Sequence, residues 1–532
     1  MSASTKKQLR KAQEAEKLTE KQLAEQKEAK KLKLYSIIAV VVLTALVLFA
    51  AIFGISQGIA NSGIRERSTV AMTVGEHEIS NAELSYYYID VVNQFYQDYG
   101  TYASMLGLDM TKPLDEQEIS EGYTWADDFM ASATQNAASI YALADEAKAN
   151  GFTLTEEDIA SIDSDMTMME FYAVYSYGYT DLETYLKAMY GSGATVESYR
   201  NYYEMSHLAE HYEAHYTDSL TYTDADLRAA EAEDYNHYTS YSFNTYYQSI
   251  SAFHGEDATE EEIAQAEKLA EAEVQKLVEG EYASVADLDA AISAMDVNAD
   301  STSASYAYTD ILSTSVSSTY SEWVTDSSRK AGDVTYVANT STDSEGNKTV
   351  SGYYVIYFVG SNDNNFALAD VRHILVKPEG GSYDSNTGAT TYSDEEMAAA
   401  KVAAEELYAQ WQAGEATEES FAALANEKSA DGDGTTGGLY ECIYPGQMVT
   451  NFNDWCFTEG RKTGDTGIVE SNYGYHIMFY VGDNAMSYRD YLITKDLRTT
   501  DVNEWYTNLI DSVTVNTLDT KYIRTDLVLG SN

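Results

Sequence analysis

The chain has 532 residues, enough for several domains of ordinary size. It carries 33 Lys/Arg against 86 Asp/Glu, a formal net charge of −53, which argues against nucleic acid as a partner because that needs a basic footprint. Its two cysteines, Cys442 and Cys456, cannot build a disulfide framework; a single bridge and two free thiols both stay open.

Residues 1–34 hold ten Lys/Arg against five Asp/Glu and are rich in Ala, Glu, Lys, Leu and Gln, so they read as a basic helix. The stretch Ile37–Ile55 follows, 19 residues without a charge, long enough to cross the ~30 Å hydrocarbon layer as a helix. A secretory signal peptide is the rival reading, with Ala60-Asn61-Ser62 as a weak cleavage site. Its apolar region would be shorter, and a basic leader of this length is long for one. The expectation is therefore an uncleaved single-pass anchor at 35–57 in a cell membrane. The positive-inside rule puts segment 1–34 in the cytoplasm and the main body outside it. The acidity of that body serves solubility or, on a sharper reading, repels it from an anionic wall or membrane.

After the anchor, Val70–Ile79 reads as a hairpin turning at Gly75-Glu76. Ser80 then caps a helix, and Glu83 three residues later closes a capping box. From there to about Tyr235 apolar residues recur at helical spacing, as in Trp125, Phe129, Ala133, Ala137, Ile140 and Ala144. Gly151 ends that helix and Thr155-Glu156-Glu157 opens the next. Five or six helices are expected in a domain over 65–235. His207, His211 and His215 share one helix face, but no HExxH is present, so a solvated face is preferred and no metal site is expected.

The remainder is repetitive. Tyr320, Trp323, Arg329, Lys330, Gly332, Asp333 and Val337 recur 132 residues later as Phe452, Trp455, Arg461, Lys462, Gly464, Asp465 and Val469. The offset then drops to 122, pairing Gly352/Gly474, Tyr353/Tyr475, Tyr354/His476 and Gly360/Gly482. The two copies span 236–362 and 363–484. The first opens on the strand TSYSFNTYY, continues with a helix at Glu260–Glu279 and ends on strands at Val334–Val337 and Tyr353–Val359. The second opens on VRHILVK and continues with a helix at Asp394–Gln412 capped by Ser393. Residues 485–532 return to helix at Tyr488–Asp511 and end in an extended tail. A repeat that keeps its core and exchanges one imidazole for a phenol suggests one working domain and one structural relative.

The second copy resembles the parvulin family of peptidyl-prolyl isomerases over about 110 residues. The resemblance rests on His373-Ile374-Leu375-Val376, Phe421-Ala422-x-Leu424-Ala425 with Ser429, Gly437-Gly438-Leu439, Gly446-Gln447-Met448-Val449, Phe452 and Gly474-Tyr475-His476-Ile477. Tyr440 departs from the family, in which a glycine commonly follows the leucine. The resemblance implies a catalytic set of His373, Asp431 and His476. It implies a proline-binding set of Leu439, Gln447, Met448, Phe452 and Tyr473. It implies no cofactor. In the first copy Val316, Tyr320 and Tyr354 stand at the positions of Met448, Phe452 and His476, which makes that copy a degenerate parvulin-like domain. The segment VAMTVGEHEISNAELSYYY is similar to the opening of the helical chaperone domain of SurA, PrsA and PpiD-type foldases, whose helix after the parvulin domain packs back on the N-terminal helices.

The fold expected is α+β and multidomain, with a transmembrane helix, a SurA-like helical domain and two parvulin-like domains. The function expected is a membrane-anchored foldase whose partners are unfolded secreted polypeptides with X–Pro bonds. A holdase with two inactive docking modules is the alternative, and an acidic surface scaffold a more distant one.

Overall fold

The computed structural model describes residues 3–11, 62–298, 304–342, 346, 348–384, 388–432 and 434–529. The anchor expected at Ile37–Ile55 lies outside the described residues. Among the described residues no helix is long and apolar enough to cross a membrane. The chain divides into two compact units, Met1–Leu220 with Val502–Asn532, and Thr221–Asp501.

The first unit is mainly helical. Its helices run Asn81–Tyr99, Trp125–Ala149, Glu156–Phe171, Leu182–Tyr190 and Val196–Ser219. The helix Trp125–Ala149 buries the face read from its spacing, with Phe129, Ala133, Ala137 and Ala144 in the core. Small alanines on that face allow close approach, and the aromatic pairs Phe95–Trp125 and Phe95–Phe129 fill the gap towards Asn81–Tyr99. The hairpin forms as Val70–Val74 and His77–Ser80. The tail adds the strand Val515–Thr517 to its free edge, antiparallel to Val70–Val74. Buried Asn81 locks the tail further: its amide donates to the carbonyls of Asp519 (2.7 Å) and Thr69 (3.0 Å), and its oxygen accepts from Tyr522 N–H (3.1 Å). Three helices close reciprocal capping boxes, Thr124/Asp127, Thr155/Asp158 and Thr195/Ser198. Ser80 also caps its helix through Glu83 N–H, but Glu83 does not return the bond. Its carboxylate accepts from the Tyr141 hydroxyl instead. The three histidines that share one helix face have neighbours other than a metal: His211 meets Asp158 at 3.2 Å, His207 packs on Tyr203 and His215 on Phe152.

The second unit holds two four-stranded antiparallel sheets of the same order. The first runs Tyr306–Leu312, Ser240–Ser249, Lys348–Asn362, Val334–Thr342; the second runs Leu439–Ile443, Ala367–Val376, Gly474–Ser487, Thr466–Ser471. In the second sheet alternate residues serve two cores. Ile374, Tyr475, Ile477 and Phe479 pack under the helices Asp394–Ala413 and Glu418–Lys428. Val371, Met478 and Tyr480 face the short helix Thr450–Cys456 through Phe452 and Cys456. The first sheet repeats this with Tyr246, Val355 and Tyr357 on one side and Tyr241, Phe243, Ile356 and Phe358 on the other.

The repeated residues build a turn. Gly332 and Gly464 have φ of 93° and 86°, a region that favours glycine. Their N–H groups bond to Phe358 O (2.9 Å) and Tyr480 O (2.8 Å) on the neighbouring strand. Asp333 and Asp465 accept from the N–H of Lys330 and Lys462, each at 2.9 Å. Arg329 lies over Trp323 and Arg461 over Trp455, at 4.9 and 3.9 Å. In the first copy the edge strand is longer than in the second: Val334–Thr342 pairs antiparallel with Lys348–Asn362 as far as Thr342 opposite Lys348.

The helix Asp224–Glu233, expected with the helical domain, lies in the second unit, where Leu227 packs with Tyr238 and Ile493. Arg489, fully buried on the helix Tyr488–Ser512, organises that corner. It pairs with Glu231, donates to the carbonyls of Tyr235 (2.7 Å), Asp363 (2.9 Å) and Tyr238 (3.2 Å), and lies 3.8 Å over the Tyr235 ring. Every polar face of the guanidinium is therefore met, which is what a buried charge requires.

Candidate active site in the second copy

Strand pairing decides which side chains can meet. His476 stands opposite Leu375 and His373 opposite Met478, so both imidazoles project from one face of the sheet. Their Nδ1 atoms lie 3.2 Å apart, with exposures of 1% for His373 and 5% for His476. Phe452 stands edge-on to both rings, at 5.3 and 5.4 Å between centroids. Met448 and Val449 pack beside it, half-buried.

The hydrogen bonds give the pair a direction. The Asp431 carboxylate can only accept; it lies 3.2 Å from His373 Nε2 and takes a 3.1 Å bond from the Tyr440 hydroxyl. His373 thus carries its proton on Nε2, and its Nδ1 accepts from His476 Nδ1–H. That leaves His476 Nε2 to accept from the Ser471 hydroxyl at 2.8 Å. Burial lowers the pKa of His373 to about 4, helped by the neighbouring His476 and opposed by Asp431. Burial also lowers that of His476, again against Asp431. Both rings are therefore neutral near pH 7, as a chain with a single proton between two nitrogens requires. Burial, and then Asp431, raise the pKa of Tyr440, which keeps its hydroxyl a donor.

The loop bearing Asp431 is fixed at both ends. Ser429 Oγ accepts from Leu375 N–H (3.1 Å) and Asp431 N–H (3.2 Å). Arg372 donates to the carbonyls of Thr436 and Gly437 at 3.0 and 3.1 Å. Gly438 bonds back to His373 N–H at 2.9 Å, and a Cβ there would sit 2.2 Å from His373 O. The double glycine is thus a close-approach requirement beneath the site.

His373, His476, Asp431, Met448 and Phe452 come together as one constellation. Leu439 does not join them. It pairs with Arg372 and stands on the opposite face from His373, because side chains alternate along a strand. Tyr440, paired with Val371, takes the pocket face and lies 4.9 Å from the His373 ring. Gln447 is exposed and closes its own turn, accepting from Tyr444 N–H at 3.1 Å. Tyr473 is 55% exposed, in the turn whose Ser471 Oγ accepts its N–H. Tyr440 and Ser471 are the residues that sequence reasoning passed over. The signal for Ser471 was present: a tight turn pairing Ser471 with Gly474 places residues 469, 471, 474 and 476 on one face. Cys442 and Cys456 are free thiols, and burial pushes that of Cys456 up to about 12.

In the first copy the same register places Thr245 opposite Ile356 and Tyr247 opposite Tyr354. The imidazole positions are therefore taken by Thr245 and Tyr354. Tyr354 packs against Tyr247 (4.8 Å) and Tyr320 (5.4 Å).

Residues 353–482 match the family model described as "PPIC-type PPIASE domain". Among solved structures the chain is similar to the peptidylprolyl isomerase PrsA of Bacillus cereus, with 24% identity and a TM-score of 0.17, covering 28% of this chain and 49% of that one. The PrsA of Bacillus anthracis gives 22% identity and a TM-score of 0.17, covering 28% of this chain and 59% of that one. The PrsA of Bacillus subtilis gives 13% identity and a TM-score of 0.29 over 78% of this chain and 98% of that one. The chain thus spans only about half of the first two relatives. No match was found among curated proteins.

Proposed function

We propose that this chain, which carries a parvulin-type peptidyl-prolyl cis-trans isomerase domain, is a membrane-anchored extracytoplasmic foldase for secreted polypeptides. In this reading 363–484 rotates X–Pro bonds, the first copy is a non-catalytic relative, and the helical unit holds unfolded chains. The observation that carries it is the buried His373–His476 pair under Phe452, set against Thr245 and Tyr354 in the first copy.

The reaction is a rotation and needs no nucleophile. The barrier of ~18–20 kcal/mol is the resonance lost when the planar amide twists. The planar form places partial negative charge on the carbonyl oxygen, and the twisted form returns it to nitrogen. An apolar wall of Met448 and Phe452 grips the proline ring and strips water from the amide, which disfavours the more polar planar form. The Asp431 carboxylate, held by Tyr440 and His373, repels charge on a carbonyl oxygen beside it and lowers the cost of twisting. The neutral histidine pair supplies a fixed, uncharged floor. For holding, the helical unit exposes Met168, Phe171, Tyr172, Tyr175 and Tyr177 around the end of one helix. Met169 is partly buried against the core and Met166 is buried in it.

A protease-coupled proline-isomerisation assay on the full chain tests the assignment. Met448→Ala with His476→Ala is expected to lower kcat/KM at least about tenfold, the loss of about 1.4 kcal/mol of transition-state stabilisation. Val316→Ala with Tyr354→Ala in the first copy is expected to leave it unchanged. The reverse pattern would remove the second copy as the catalyst.

A further inference from the structure

Glu83 breaks a local rule. It occupies the third position of its helix, where an acid normally closes the capping box, and the comparable residues Asp127 and Asp158 do so. Glu83 turns away and accepts from Tyr141 instead. Its carboxylate lies in the wall of a cleft of about 560 Å³ inside the helical unit, within the range of ~300–1,000 Å³ typical of ligand pockets. Phe152, Leu154, Met205 and Leu208 give the cleft an apolar side, and exposed Lys148 stands at its lining. Burial raises the Glu83 pKa against the Tyr141 hydrogen bond and the nearby His77, and no Lys or Arg lies within ion-pair distance of it among the described residues. Places where a strong local signal is overridden are commonly functional sites.

We infer that this cleft binds an arginine or lysine side chain of an unfolded client polypeptide. The aliphatic stem packs on Phe152, Leu154, Met205 and Leu208, and the cationic head reaches Glu83, the division of labour that long basic side chains adopt at apolar surfaces. Charge complementarity selects that occupant. Of the two lining carboxylates, Glu204 is taken by Arg200 at 2.6 Å, whereas Glu83 is bound by no Lys or Arg among the described residues, and the chain as a whole carries −53. A client acid would meet Glu83, and a purely apolar side chain would cover Glu83 and leave its charge only the Tyr141 bond, which is costly. The inference rests on the holding role proposed for the helical unit and adds a chemical preference to it.

The test uses the full chain in detergent and a fluorescent, proline-free, unstructured peptide with one Arg flanked by Leu and Val, followed by anisotropy. Replacing that Arg by Gln in the peptide is expected to weaken binding about tenfold, the effect of losing one hydrogen bond to a charged group. Glu83→Gln is expected to weaken the Arg peptide by a similar factor and leave the Gln peptide and the isomerase activity unchanged. Should Glu83→Gln fail to fold, Lys148→Glu at the exposed lining still decides the matter, because it is expected to tighten the Arg peptide several-fold. Equal binding of the Arg and Gln peptides, or no response to Lys148→Glu, overturns the cationic preference. If the protein then still suppresses client aggregation, the holding role stands without this site; if it does not, that role falls as well.

Discussion

At the scale of single residues, the histidine pair makes stability depend on pH in a definable window. His373 titrates at about 4 in the folded chain, against an ordinary value near 6.5, so folding favours the neutral ring. Its contribution is complete above about pH 6.5 and is lost as pH falls through about 4. The melting temperature of the wild type is expected to fall across that window more steeply than that of His373→Gln, measured at matched ionic strength. Parallel curves would mean that the ring is not held neutral by burial. Met448 and Phe452, the two side chains proposed to grip the proline ring, differ in burial. Phe452 is 1% exposed in a packed cluster, and Phe452→Ala should cost ~3–5 kcal/mol, so its kinetic effect is confounded by unfolding. Met448 is half-buried, and Met448→Ala should cost under ~2 kcal/mol while lowering kcat/KM about tenfold. Chemical denaturation beside the isomerase assay distinguishes these outcomes. A large loss of stability in Met448→Ala would make it a core residue.

At the scale of elements, the conspicuous repeat proves to be structural. Trp, Arg, Gly and Asp recur because each copy needs the same turn before its edge strand, with glycine in a left-handed conformation and arginine over tryptophan. Gly332→Ala and Gly464→Ala are therefore expected to destabilise their copies alike, each by more than ~1 kcal/mol, although only one copy carries the histidine pair. Thermal melting with a local probe in each copy checks this, and a loss confined to Gly464→Ala would tie the turn to function. The sequence made the opening strand and the long helix of each copy legible because their periods are strong, and the resemblance to the parvulin family pointed to His373, His476, Asp431, Met448 and Phe452. What it hid depended on pairing across the sheet. Leu439 and Tyr440 are neighbours in the chain, so only the register with Val371 and Arg372 reveals which of them faces the histidines. Glu83 matched the capping pattern, and only the approach of Tyr141 from another helix shows why it abandons it. The partners of the helix that follows residue 220 were hidden for a similar reason. The helix Asp224–Glu233 is helical by its own pattern, and one of its partners in the second unit, Ile493, comes from a distant part of the chain.

At the scale of the whole molecule, the proposed function divides two different physical tasks between two compact units. Holding an unfolded chain needs broad contact that tolerates many sequences. The helical unit offers exposed aromatic and methionine side chains, which adapt to irregular partners. Rotating one X–Pro bond needs fixed electrostatics at one place, which the proposed site in the second copy offers through the hydrogen-bonded groups His373, His476, Asp431, Tyr440 and Ser471. The high negative charge keeps a loaded chain soluble without specifying either task. If the tasks are separate, each can be removed alone. Met448→Ala with His476→Ala should abolish most isomerase activity and leave suppression of aggregation of a proline-free client unchanged. Phe171→Ser, Tyr175→Ser and Tyr177→Ser together should weaken suppression and leave isomerisation of a short peptide intact, since these side chains are already exposed and their loss should cost the fold little. Light scattering of the client and the peptide assay, run on the same three proteins, give the comparison. A double mutant that fails to suppress aggregation, beside a triple mutant that still succeeds, would place both tasks in the isomerase domain. The helical unit would then be left as its support.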